Sequence, residues 1–81
     1  MTILDFVGTT TSARPGIALV ELSDTLWRIT RSSGEVLGYI ESVEEREGRR
    51  FHTKRLLTNQ SRTLPLGDFW SFSDALDCFR L

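Results

Sequence analysis

The stretch that most limits what this chain can fold into is Leu66–Leu76, Leu-Gly-Asp-Phe-Trp-Ser-Phe-Ser-Asp-Ala-Leu, which reads as a loop running into a capped helix. Ser71 suits the N-cap, and Asp74 stands three residues on, as in a capping box with a shortened acid. Phe72, Ala75, Leu76 and Phe79 recur at helical spacing and make one apolar stripe. Asp74 and Asp77 lie toward the positive end of the helix dipole and Arg80 toward the negative end. A helix of about ten residues does not persist alone in water, so the stripe must dock on whatever precedes it.

What precedes it is strand-like. Thr25–Arg31 alternates, with Trp27 and Ile29 on one face and Arg28 and Thr30 on the other. Ser32-Ser33-Gly34 has the length and chemistry of a hairpin turn, with Gly34 free to take a positive φ. In Glu35–Val43, residues Val36, Gly38 and Ile40 share one face and Leu37, Tyr39 and Glu41 the other. Gly38 inside a strand leaves room for a large neighbour, and Trp27 is the expected one. Glu44–Arg49 is a charged hairpin tip, after which Phe51 and Thr53 face inward and Arg50, His52 and Lys54 outward. Thr58–Ser61 reads as a turn, and Arg62–Leu66 as a short edge strand that tolerates Pro65. Ile17–Leu22 is apolar on both faces, so periodicity does not separate strand from helix there.

The expected fold class is therefore α+β: a small antiparallel β-meander of three to five strands packed on one C-terminal helix. Residues 1–16, with the polar run Thr9–Arg14 and the Pro15-Gly16 turn signal, read as a flexible N-terminal segment. Residues 17–81 form a single domain, since 81 residues suffice for one core only. No apolar run approaches the ~20 residues of a membrane span, and residues 1–8 lack the basic start of a signal peptide. One cysteine, Cys78, allows no intrachain disulfide. These features predict a cytoplasmic protein with no membrane partner.

Several chemistries have no support. Neither a Gly-x-x-x-x-Gly-Lys loop nor a Gly-x-Gly-x-x-Gly loop occurs, which argues against nucleotide-dependent catalysis. His52 is the only histidine, and with the single Cys78 it falls short of a zinc-ligand cluster. A Cys78–His52 nucleophile pair would need the helix to meet the outer sheet face, which the alternation forbids. Glu44, Glu45 and Glu47 occupy an exposed tip where nothing excludes water from a carboxylate. The expectation is no enzyme, no metal and no small-molecule cofactor.

A binding surface has more support. One helix covers one side of a sheet, so the other side meets solvent or a partner. Arg28, Thr30, Tyr39, Arg50, His52 and Lys54 form the candidate binding face, with Leu37 and Glu41 among them. Trp27, Phe51, Phe69 and Phe72 read as core. Trp70 beside Phe69 covers the start of the helix or stands exposed as a contact anchor. The net charge is -1, yet residues 49–62 hold Arg49, Arg50, Lys54, Arg55 and Arg62 and no acid.

Trp27-x-Ile29, a Gly-centred turn, Gly38-x-Ile40, Phe51 and Leu66-Gly67-x-Phe69-x-Ser71-x-x-x-Ala75 together carry a resemblance. The pattern resembles small bacterial three-stranded-sheet-plus-helix proteins, many without assigned function. Its layout is similar to the arm-binding domains of tyrosine integrases and to plant AP2-type DNA-binding domains. Those families lay the sheet in the DNA major groove with the helix behind it. The resemblance implies that Arg28, Thr30, Tyr39, Arg50, His52 and Lys54 stand at positions able to face DNA. This chain departs from them in its negative net charge and its acid-rich second hairpin tip. Two functions follow as expectations. One is a protein-interaction or accessory module, with an unknown protein partner or a homodimer. The other is DNA binding through the open sheet face.

Overall fold

Two-residue turns and short connections set the architecture. The computed structural model describes residues 10–57 and 62–79. The first nine residues of the expected flexible segment, the expected turn at 58–61 and the expected helix-end charge at Arg80 lie outside the described residues. The elements are β1 (Thr10–Arg14), β2 (Ile17–Ser23), β3 (Leu26–Arg31), β4 (Val36–Glu45), β5 (Gly48–Leu56), β6 (Thr63–Phe69) and α1 (Phe72–Asp77). The strands form one antiparallel sheet in the order β1-β2-β3-β4-β5-β6, so every neighbour in space is a neighbour in sequence.

The sheet thus has six strands rather than three to five. β1 supplies the sixth strand, and Leu66–Phe69 lengthens the edge strand expected at 62–66. Thr10–Arg14, grouped with the flexible segment by its polar composition, is β1, because Pro15 and Gly16 (φ 76°) return the chain directly onto Ile17. β-branched Thr11 suits a strand, and Ala13 is the β1 residue packed against the core. Leu66–Phe69, read as loop, continues β6. Thr53 pairs with Gly67 and Lys54 with Pro65, so Leu66 is the extra residue of a bulge and Gly67 takes a φ of 149°. Ile17–Ser23 resolves as strand, and Ser32–Gly34 makes the turn between β3 and β4, with Gly34 N–H donating to Arg31 O at 2.9 Å.

The core lies between the sheet and α1. Ile17, Ile29, Leu37, Ile40, Ala75, Leu76 and Phe79 are buried there, with Trp27, Phe51, Phe69, Phe72 and Cys78 packed around them. Phe72 wedges between two aromatic rings, edge-on to Trp27 at 4.9 Å and to Phe51 at 5.6 Å between centroids. The helix is six residues, shorter than the expected ten. Its last turn tightens instead of continuing: Cys78 N–H donates to Ala75 O and Phe79 N–H to Leu76 O. Ser71 is the N-cap, its hydroxyl accepting from the Asp74 amide at 3.3 Å.

Two corrections concern faces. Leu37 belongs to the core and not to the outer face. Ile29 pairs with Gly38 but Thr30 pairs with Val36, so Leu37 is the unpaired residue of a bulge and the alternation shifts there. The neighbour that needs Gly38 is Phe79 and not Trp27, which pairs with Ile40. From the far edge, Arg14 of β1 reaches α1: its Nε donates to Asp77 Oδ1 at 3.0 Å and its Nη2 to Ser73 Oγ at 2.8 Å. The helix follows β6 directly and is held by β1, so it bridges both edges of the sheet.

Candidate functional site

Alternation along β5 sends Phe51 and Thr53 toward the helix and Arg50, His52 and Lys54 to the opposite, outer face. Pairing then lines up side chains from neighbouring strands. Arg28, Tyr39 and Lys54 share one row across β3, β4 and β5. Leu26, Glu41, His52 and Asp68 make the next row across β3 to β6, and Val43 and Arg50 the one after. Five of the six residues expected on the binding face are therefore brought together. Thr30 is not part of an accessible surface: flanked by Ala18 and Val36 in register, it is only 6% exposed.

The rows differ in electrostatics. In the second, the Nδ1–H of His52 donates to Asp68 Oδ1 at 2.5 Å, since an ionised carboxylate only accepts. That bond fixes the orientation of the ring. The second oxygen of Asp68 stands 3.7 Å from Arg50 Nη1, and Glu45 Oε1 lies 3.4 Å from Arg50 Nη2. The Arg50 guanidinium, held between these two carboxylates, stacks 4.2 Å from the centroid of the Trp70 ring. Trp70 is 55% exposed, so of the two positions expected for it the structure adopts the exposed one. Such half-exposed ion pairs contribute little to stability, but here they set the orientation of Arg50 and His52.

In the first row the cations have no such partners. Among the described residues, neither Arg28 nor Lys54 has a carboxylate within ion-pair distance. The Arg28 guanidinium lies 6.0 Å from the Tyr39 ring centroid, and its Nε is buried without a hydrogen-bond partner. Between the two rows lies a depression of about 170 Å³, lined by Leu26, Tyr39, Glu41, His52, Lys54 and Thr63.

Sequence reasoning missed Asp68, Glu45, Leu26 and Thr63 as members of this face. The signal was present for Asp68: had 63–69 been recognised as strand, register against β5 would have set it beside His52. Cys78 packs against the core, on the other side of the sheet from His52. Among the described residues there is no group of three His, Cys, Asp or Glu side chains able to hold a metal ion, and no helix long and apolar enough to cross a membrane. Comparison of the chain with family models, curated proteins and solved structures gives no match. What the arrangement offers chemically is recognition: an aromatic–guanidinium anchor, a row of cations and a small concavity on one face.

Proposed function

We infer that this chain is a small non-enzymatic binding module whose outer sheet face docks a protein partner, with Trp70 and Arg50 as the anchor. The observation that carries this reading is the Arg50–Trp70 stack. Trp and Arg dominate binding energy at protein interfaces, and an anchor already held in place loses less conformational freedom on docking. Asp68 and Glu45 fix Arg50 from two sides, so the exposed Trp70 ring rests on a positioned support. The same carboxylates, with Glu41 beside them, offset the positive charge of the face and disfavour a polyanion there.

The test is site-specific photo-crosslinking in the natural host. A benzoylphenylalanine in place of Val43, which pairs with Arg50 beside the anchor, is expected to trap one discrete partner or a second copy of the chain. The same group at Ser33, in the turn between β3 and β4, is expected to trap none, and Arg50→Glu should remove the adduct at 43. Equal labelling from both positions, or none from either, ends this reading.

DNA binding is the second reading, favoured by the Arg28–Tyr39–Lys54 row and its cations without carboxylate partners. It requires a duplex affinity that falls with salt, with a log-log slope of about -0.9 per phosphate neutralised. Lys54→Glu should abolish that binding. Duplex affinity that is absent at low salt, or unchanged in this variant, removes it.

A further inference from the structure

The depression on the outer face carries opposite charges that do not meet. Tyr39 pairs with Lys54 and Glu41 with His52, so Lys54 and Glu41 are diagonal neighbours across β4 and β5. Diagonal positions stand about 7–8 Å apart, a span two long side chains can close. These two do not close it: among the described residues no Lys54–Glu41 ion pair forms, and both side chains line the depression instead. Leu26 and Tyr39 supply apolar surface between them, and His52 and Thr63 supply polar groups. The volume of about 170 Å³ is well below that of drug-sized pockets, and a water occupies about 30 Å³ in the liquid. The space suits a solute of amino-acid size.

We propose that this depression is a binding site for a small zwitterion, an α-amino acid with an apolar side chain. Its carboxylate pairs with the Lys54 ammonium, its ammonium with the Glu41 carboxylate, and its side chain lies on Tyr39 and Leu26. Charge complementarity selects this class. A simple anion would face Glu41 across the same small space, and a simple cation would face Lys54. A zwitterion satisfies both with one charge-assisted hydrogen bond at each end. The site adjoins the Arg50–Trp70 anchor, to which His52 links it through Asp68, but shares neither Arg50 nor Trp70 and does not rest on the protein-partner reading.

The experiment is an amide chemical-shift titration of the whole chain with three probes: L-leucine, N-acetyl-L-leucine, which lacks the ammonium, and L-leucinamide, which lacks the carboxylate. Leucine is expected to give saturable shifts centred on residues 26, 39, 41, 52, 54 and 63. Each blocked analogue should bind about tenfold more weakly, the loss of one hydrogen bond to a charged group. Lys54→Gln should weaken leucine and N-acetyl-leucine by a similar factor and leave leucinamide unchanged, and Glu41→Gln should do the reverse. Both positions are exposed, so native-like spectra of the variants separate lost binding from lost folding. Absence of saturable shifts with leucine up to about 20 mM, or equal affinity for all three probes, overturns the proposal. Trp70→Ala should bind leucine as the unmodified chain does, which keeps failure of this site distinct from failure of the partner anchor.

Discussion

Phe79 occupies the space that a side chain on Gly38 would fill. A Cβ at Gly38 would lie 2.7 Å from Phe79 Cε1, 2.0 Å from Lys54 O and 3.0 Å from Arg55 Cα. The glycine therefore lets the end of the helix and the neighbouring strand close on one point of the sheet. Gly38→Ala should destabilise the fold by about 3 kcal/mol, at the upper end for overpacking, because backbone as well as side chain must move. Trimming the ring should not rescue it: Phe79→Leu relieves the contact at 2.7 Å and leaves the one with the Lys54 carbonyl. Urea melts of the single and double variants check this. Recovery of most of the loss in the double variant would mean that the ring, not the strand, is the obstacle.

Phe79 itself is the largest of the fully buried side chains among the described residues. Phe79→Ala should cost about 3–5 kcal/mol. A loss below about 1 kcal/mol in the same melt would contradict its placement under the sheet.

Ser71 caps a helix of only six residues, through a bond of 3.3 Å. Ser71→Ala should cost about 0.5–1 kcal/mol, the lower part of the range for N-caps, and Ser71→Asp should keep most of the stability. A larger loss in the alanine variant, equal in both, would point to packing of the β6–α1 connection rather than to the cap.

The Arg14–Asp77 pair is partly exposed, so its effect on global stability should stay below about 1 kcal/mol. Its effect on local opening should be larger. Arg14 is the tie between an edge strand and the helix, and in Arg14→Ala the amides of residues 11–14 should exchange faster while those of β3 to β5 do not change. Hydrogen exchange followed by NMR measures this directly, and uniform acceleration across the sheet would count against a local tether.

Trp70 separates surface from core. With more than half of its surface in solvent, Trp70→Ala should change stability by less than about 1 kcal/mol, whereas binding of any partner at this face should fall at least tenfold. A stability loss like that of Phe79→Ala would make the ring a packing element instead.

Much of this was legible in the sequence where local chemistry and packing agreed. The N-cap at Ser71, the stripe ending at Phe79, the turn at Gly34 and the alternation of β5 all follow from side-chain spacing alone. What was not legible depends on partners. β1 brings only Ala13 to the core, and its pairing with β2 makes it a strand. The bulge at Leu37 moves one residue from the solvent side to the core, and no residue type announces a bulge there. Asp68 and Glu45 acquire their meaning from register with β5, across a stretch that reads locally as a loop in one case and a solvated tip in the other.

The character of β6 has a further consequence, for colloidal behaviour. An outermost strand is a template on which a second chain can extend the sheet, and proteins that stay in solution blunt that template. Pro65 removes a donor from β6, and the bulge at Leu66 with Gly67 breaks its regular ladder. β1 has no proline within Thr10–Arg14, but it too is bulged, between Ser12 and Arg14. Along the two outer strands of the described sheet, Thr10–Ser12 is the regular stretch with neither a proline nor a bulge, and intermolecular growth of this sheet, in concentrated solution or after partial unfolding, is directed there.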